Sequence, residues 1–171
     1  LVNLLCNRLL NQPVEYGMHN IIKPQRDIKP FNIKNYSVTS YQKHNMENIK
    51  KFYPFFKSRM IDIPTQKAFA QNFVLASHKT ADNRSRYYRN LSFPLHIPGK
   101  ETVVGFEERG KPRLDGSSGY KGKALGSNSS EGLWIASPNG TALKDAKHVL
   151  WFESAYDAMA YYQLHAPHDL H

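Results

Sequence analysis

The pattern in the first third of the chain predicts helices joined by a linker. Leu1–Leu10 has apolar residues at helical spacing and predicts the tail of a helix. Residues 15–34 carry two prolines, several charges and no periodicity, which is typical of a linker or an extended arm. A helix is predicted over 41–53, capped by Ser40, with one apolar face made of Met46, Ile49 and Tyr53.

Two prolines divide the next stretch. Pro54 is expected to break or restart the helix, because proline removes a backbone donor and clashes with the preceding turn. Residues 55–60 would then form another short helical piece. Pro64 suits the first turn of a further helix, which should run to about Ala70.

From Phe73 onwards the pattern changes from helical spacing to partial alternation, which indicates strands. Residues 72–77 are strand-like, and 91–97 and 103–107 predict a hairpin or meander with a turn near Pro98. The remaining elements are a basic loop over 79–89, a glycine- and serine-rich loop over 110–130 and a short strand over 133–136.

The C-terminal pattern is the most distinct. His148–Phe152 is an apolar run typical of a buried strand, Glu153 follows it directly, and 155–164 contains strong helix formers. We therefore predict an α+β fold. It should have a helical N-terminal part, a small mixed sheet over about 73–136, and then one strand–helix unit.

The composition is that of a folded domain. Of the 171 residues, 40% are hydrophobic and 12% are aromatic, which argues against wholesale disorder. No run approaches the roughly 20 apolar residues that a transmembrane helix needs, so no membrane partner is expected. The single cysteine, Cys6, and the absence of a signal-peptide pattern at the start favour a cytoplasmic setting. We expect this chain, which begins at Leu1, to be a fragment of a longer protein.

The net charge of +9 is unevenly distributed. Residues 19–60 contain nine basic and two acidic residues, and 79–125 contain ten basic and five acidic, whereas 126–171 contain two basic and five acidic. Clustered positive charge is the usual signature of a surface that binds nucleic-acid phosphates. The alternative is a solvated basic surface with no specific polyanion partner.

Two carboxylates stand at the start of the last predicted helix. Glu153 would lie at the C-terminal end of a strand, where open α/β sheets bind ligands, and Asp157 lies about one helical turn later. Such a pair could hold Mg²⁺ while substrate phosphates complete the coordination shell. The alternative is that both residues favour the helix start through the helix dipole.

Residues 149–160 (VLWFESAYDAMA) resemble the first motif of the Toprim domain, which occurs in primases, topoisomerases and related nucleases. Upstream, three stretches resemble the catalytic core of bacterial replicative primases in the same order. Residues 52–69 are similar to its "YLxxRGI…F" helical element, 91–110 to its "FPI…GFggR" strands and 119–134 to its "KYlNs…lyG" stretch. The resemblance covers roughly 50–165 and is nearest to primase-like proteins of plasmids and mobile elements.

The resemblance implies roles for single residues. Glu153 matches a glutamate proposed as general acid/base and metal ligand, and Asp157 matches the aspartate of the same motif. Arginine binds phosphate in a bidentate manner and lysine binds it as a point charge. The resemblance also implies Mg²⁺ as cofactor, nucleotides as further ligands and replication or mobilisation proteins as further partners. The matching nucleic-acid-binding residues are Arg59, Arg109 and Lys121.

The sequence departs from the family at several positions. Ser154 replaces the glycine after Glu153, Met60 replaces the glycine after Arg59, and Tyr120-Lys121 reverses the family's order. The paired-aspartate motif that completes the family's metal site belongs to a later strand, which this sequence does not include. The expected organisation is a helix tail and linker over 1–39, a primase-core-like N-terminal subdomain over 40–136 and the truncated start of a Toprim domain over 137–171.

Three functional hypotheses follow. The first is a fragment of a primase-like Toprim enzyme that binds single-stranded DNA or RNA and, when intact, performs Mg²⁺-dependent nucleotidyl transfer. The second is a catalytically inert nucleic-acid-binding module of a mobile genetic element. The third is a domain that binds a small acidic ligand or a protein through its basic face. Under the first hypothesis the isolated chain should still lack priming activity, because the paired aspartates are not part of it.

Overall fold

The computed structural model describes residues 29–79, 89–115, 117, 119–138 and 140–169, without the side chains of 166–169. Within this part of the chain, five strands form one sheet and three helices accompany it. The α+β class is therefore confirmed. The predicted helix tail at Leu1–Leu10 and most of the basic loop over 79–89 lie outside the described residues.

The strands are adjacent in the sheet in their chain order. All four neighbouring pairs are antiparallel, so the expectation of a mixed sheet is wrong. The reason is that every connection, including the helical one between the first two strands, reverses the chain direction. The strands are β1 (Tyr36–Ser40), β2 (Val74–His78), β3 (Asn90–His96), β4 (Val103–Arg109) and β5 (Lys121–Lys123).

The predicted hairpin over 91–107 is confirmed, because β3 and β4 pair along most of their length. In the turn between them, Pro98 is followed by Gly99, whose φ is +79°. The Lys100 amide donates to the Ile97 carbonyl oxygen at 2.9 Å. Proline followed by a residue with positive φ is the pattern of a type II turn, which explains why this dipeptide joins the two strands.

Three helices are present in the described part of the chain. None of them has the length and hydropathy needed to cross a lipid bilayer. The first is capped by Asn45, whose side-chain oxygen accepts from the Asn48 amide at 3.0 Å, so Ser40 is not the cap. Ser40 instead ends β1. The helices are α1 (Met46–Lys57), α2 (Ile63–Ala68) and α3 (Ala155–Asp169).

Pro54 lies inside α1 and does not end it. The side chains on either side of it in the chain, Phe52, Phe55 and Phe56, are all buried in the same core. Packing of these rings holds the helix together across the proline, although an internal proline costs about 3 kcal/mol or more. The expectation of a break is therefore wrong, because tertiary packing outweighs a local preference.

The buried face of α1 differs from the predicted one. Ile49 is buried as expected, but Met46 is 57% exposed and Tyr53 is 49% exposed. The face that packs against the sheet is made of Ile49, Phe52, Phe55 and Phe56.

Aromatic rings fill the core between the helices and the sheet. Phe73 is fully buried, and its ring centroid lies 5.2 Å from Tyr41 and 5.0 Å from Phe56. From α3, the Tyr156 ring packs edge-on against Phe93 of β3 at 5.6 Å. The helix α3 therefore shares one hydrophobic core with α1 and the sheet.

Two predicted strands are absent. Residues 148–152 lie outside every helix and strand, and Trp151 within them is 79% exposed. Residues 133–136 form only one bridge, between Leu133 and His96. An apolar run becomes a strand only beside another strand that accepts and donates its backbone hydrogen bonds, and no described strand runs beside 148–152. The predicted strand–helix unit is thus reduced to its helix.

Candidate nucleic-acid interface

Arg109 and Lys121 lie on neighbouring strands at one end of the sheet. Arg109 is the last residue of β4, Lys121 is the first of β5, and the two are direct cross-strand partners. Residues directly opposite each other in an antiparallel pair project from the same face. The β3 partner of Arg109 is Leu91, which is buried under the helices, so both basic residues belong to the helix-covered face.

Arg59 reaches the same region from the helices. It is exposed just after α1, and its guanidinium carbon lies 5.2 Å from the centroid of the Tyr156 ring. This distance is that of a cation–π contact. The Tyr156 hydroxyl in turn donates to the Phe55 carbonyl oxygen at 3.1 Å. Tyr156 is therefore a fixed support for an exposed arginine.

The charges of Arg59 and Arg109 both influence the pKa of Tyr156. Burial raises the pKa of Tyr156 to about 12, while the positive charges of Arg59 and Arg109 act in the opposite direction. Contacts also link the two arginines. Tyr156, which lies under Arg59, packs on Phe93, and the cross-strand partner of Phe93 is Glu107, which pairs with Arg109. Arg109 is in turn the cross-strand partner of Lys121. We call this region the basic edge: Arg59, Arg109 and Lys121.

Arg109 has partners inside the protein. It is only 8% exposed, its Nη2 forms an ion pair with Glu107, and its Nη1 donates to the Glu108 carbonyl oxygen at 3.1 Å. Arg59 and Lys121 are exposed and have no side-chain hydrogen bond within the described residues. In this geometry Arg109 holds the end of β4, whereas Arg59 and Lys121 present charge to solvent.

The chain leaves α1 through an unusual backbone conformation just after Arg59. Met60 has a φ of +57°, in the left-handed region that favours glycine. Its amide donates to the Lys57 carbonyl at 3.1 Å, and the Ile61 amide donates to the Phe56 carbonyl at 3.2 Å. These two bonds define a Schellman motif, which usually has glycine at this position. Met60 thus adopts a backbone conformation that glycine would adopt without strain.

Glu153 and Asp157 are both exposed at the start of α3. The Ser154 hydroxyl donates to the Asp157 carboxylate at 2.7 Å, and the Asp157 amide donates to the same Ser154 oxygen at 3.3 Å. The Ser154 oxygen therefore caps the helix at the Asp157 amide, and the Asp157 carboxylate holds the Ser154 hydroxyl in place. This arrangement agrees with the alternative in which Asp157 favours the helix start. Glu153 is not at a strand end, because 148–152 forms no strand.

These carboxylates supply only part of a Mg²⁺ site. Among the residues that the structure describes, no three His, Cys, Asp or Glu side chains are grouped so that they could hold a metal ion. The Asp157 carboxylate is engaged by Ser154, and Glu153 by itself makes no metal centre. The described residues thus offer Mg²⁺ one free carboxylate, that of Glu153, and one that is engaged in the helix cap, that of Asp157.

The face of the sheet opposite the helices carries a buried acidic residue, Glu108, near the end of β4. Burial raises the pKa of Glu108, while a hydrogen bond with Asn90 lowers it. Burial also raises the pKa of Tyr36 to about 12, with a further contribution from the nearby charge of Glu108. Glu108 and Arg109 are consecutive in β4 and therefore lie on opposite faces of the sheet.

Two residues that hold the arginines of the basic edge, Glu107 and Tyr156, were not found from the sequence. Glu107 is two positions from Arg109 in the same strand, so the twofold periodicity of a strand was a usable signal for their pairing. Tyr156 gave no such signal, because α3 meets Arg59 only through the tertiary fold.

No protein-family model matches this chain, and neither a curated protein nor a solved structure matches it. The primase-like resemblance therefore depends on the sequence motifs alone.

Proposed function

We propose that this chain is a primase-like module that binds single-stranded nucleic acid at the basic edge. The observation that carries the proposal is that two exposed cations, Arg59 and Lys121, are both linked to the Arg109–Glu107 pair. Lys121 is the cross-strand partner of Arg109, and Arg59 packs on Tyr156, which contacts the strand β3 next to Glu107. These residues are far apart in the sequence, and they belong to different motifs. Convergence of exposed cations on one face is what phosphate binding requires.

The two exposed residues of the basic edge have distinct parts in this proposal, whereas Arg109 holds the strand end between them. Arg59, supported by the Tyr156 ring, is suited to a bidentate phosphate contact. Lys121 and its neighbour Lys123 are exposed on the edge strand β5 and act as point charges. Such contacts position a strand without reading its sequence, so DNA and RNA should both bind.

Phosphoryl transfer is a second candidate function. The observation in its favour is that Glu153 is exposed directly before the helix α3, within three residues of Tyr156. Mg²⁺ would supply the positive charge that stabilises a reacting phosphate. We assign no catalytic step to Glu153. Binding of nucleic acid, as in a module of a mobile genetic element, is the function for which the exposed cations of the basic edge argue directly.

The experiment is a fluorescence anisotropy titration of a labelled oligothymidylate at several salt concentrations. The apparent affinity should fall as salt rises, and Arg59→Ala should reduce the salt slope by about 0.7, the value for one phosphate contact with a single strand. Lys121→Ala should act in the same direction.

Lys100→Ala is the matched control. Lys100 is also exposed but lies at the turn between β3 and β4, at the far end of β4 from Arg109. It should leave the slope unchanged. Salt-independent binding, or equal effects of Lys100→Ala and Arg59→Ala, would overturn the proposal.

A further inference from the structure

Four consecutive large apolar side chains are exposed in the segment Val149–Phe152. Their exposed fractions are 52%, 60%, 79% and 38% in chain order. Among the described residues, no backbone hydrogen bond joins this segment to another. Aromatic and β-branched residues favour strands, and an apolar segment with free backbone groups tends to pair with another strand.

The two ends of this segment carry opposite charges, so they would pair with the ends of a second copy that runs antiparallel to the first. Lys147 precedes it and Glu153 follows it. If two copies run antiparallel with Leu150 opposite Leu150, Lys147 of each copy lies opposite Glu153 of the other. The same register places Val149 opposite Trp151.

One face of such a pair would be well matched from end to end. Side chains alternate between the faces of a strand, so Lys147, Val149, Trp151 and Glu153 project together. The pair would have two aromatic–β-branched contacts at its centre and an ion pair at each end. Both kinds of cross-strand contact are stabilising.

On the other face of the pair, Phe152 already packs against the helix α3 of its own chain. The Phe152 ring lies 5.3 Å from the Tyr161 ring of α3. Phe152 is also the least exposed of the four apolar residues. A two-stranded ribbon alone is marginal in water, whereas one that packs on a helix is not.

We propose that Lys147–Glu153 is a self-association site through which two copies of this chain form a closed antiparallel dimer. The occupant is a second copy because the segment is complementary to itself in charge as well as in apolar side chains. An isologous contact of this kind closes at two subunits. The inference does not depend on nucleic-acid binding, since Arg59 and Lys121 take no part in it.

Analytical ultracentrifugation of the full chain over micromolar to millimolar concentrations tests the proposal. We expect a monomer–dimer equilibrium and a blue shift of tryptophan emission as Trp151 becomes buried. Lys147→Glu and Glu153→Lys should each raise the dissociation constant about tenfold, because each turns two ion pairs into like-charge contacts. The double variant Lys147→Glu/Glu153→Lys should restore the original constant to within about threefold, since the pairs are only reversed.

Lys144→Glu is the control, with the same change of charge outside the paired segment. It should leave the dissociation constant unchanged, and thermal melts should show that all variants remain folded. A monomer at every concentration, open-ended aggregation, or a double variant as weak as the single ones would each overturn the proposal.

Discussion

Leu91–Leu95 in β3 and Val149–Phe152 before α3 are apolar stretches of similar character, but their environments are opposite. Phe93 in the first is 1% exposed, and Trp151 in the second is 79% exposed. β4 pairs with β3 along most of its length and β2 pairs with its first three residues, and Leu91 and Phe93 belong to the core beneath the helices. Val149–Phe152 has no described strand beside it. Apolar character alone therefore predicts a strand only where neighbouring strands complete it.

The largest expected effect comes from truncating one aromatic residue in each stretch. Phe93→Ala should lower the free energy of unfolding by about 4 kcal/mol, because it opens a cavity among the rings of the core. Trp151→Ala should change it by less than about 0.5 kcal/mol in dilute solution, where the side chain contacts mainly water. Urea denaturation of the two variants measures the difference. Equal losses would show that Val149–Phe152 is packed and would contradict the comparison.

The two arginines of the basic edge extend the comparison to charged residues. Arg109→Ala should cost about 3 kcal/mol of folding free energy, because it leaves Glu107 partly buried without its partner. Arg59→Ala should cost at most about 1 kcal/mol, the worth of an exposed cation–π contact. Both values come from the same denaturation experiment. A larger loss for Arg59→Ala would reverse the assignment of Arg109 as the structural residue.

The smallest expected change in folding free energy is at Met60, which follows α1 and has a left-handed backbone conformation. Met60→Gly should stabilise the fold by about 0.5 to 1 kcal/mol, since the strain relieved exceeds the extra entropy of the unfolded chain. Little packing is lost, because Met60 is 81% exposed. Ser58→Gly is the matched control, and its right-handed conformation should make it destabilising by a similar amount. Stabilisation by both variants, or by neither, would contradict this account of Met60.

The sequence predicted the elements whose signals are local. The hairpin of β3 and β4 has its turn dipeptide between two apolar runs, and α2 has Pro64 in its first turn, where proline is preferred. The strand β1 was missed, because Tyr36–Ser40 is an edge strand with largely polar residues that follows a linker-like segment. Its pairing with β2 depends on the fold of the residues between them.

In the candidate site, too, the features with a local signal were predicted and those fixed by tertiary structure were not. Its basic residues were predicted from motifs, but the ion pair of Arg109 with Glu107 and the contact of Arg59 with Tyr156 were not. The capping role of Asp157 was left open beside a metal role, and the Ser154 hydrogen bonds favour the cap. Partners fixed by tertiary structure decide whether a charged side chain is available to a ligand, and the sequence pattern does not contain them.

The central claim is that single-stranded nucleic acid lies along the basic edge, and ultraviolet crosslinking tests it most directly. Oligothymidylate would be crosslinked to the folded chain, and the attached peptides identified by mass spectrometry. We predict crosslinked peptides that contain Arg59 or Lys121, with yields that fall as salt rises. Crosslinks confined to peptides that lack both residues would contradict the account.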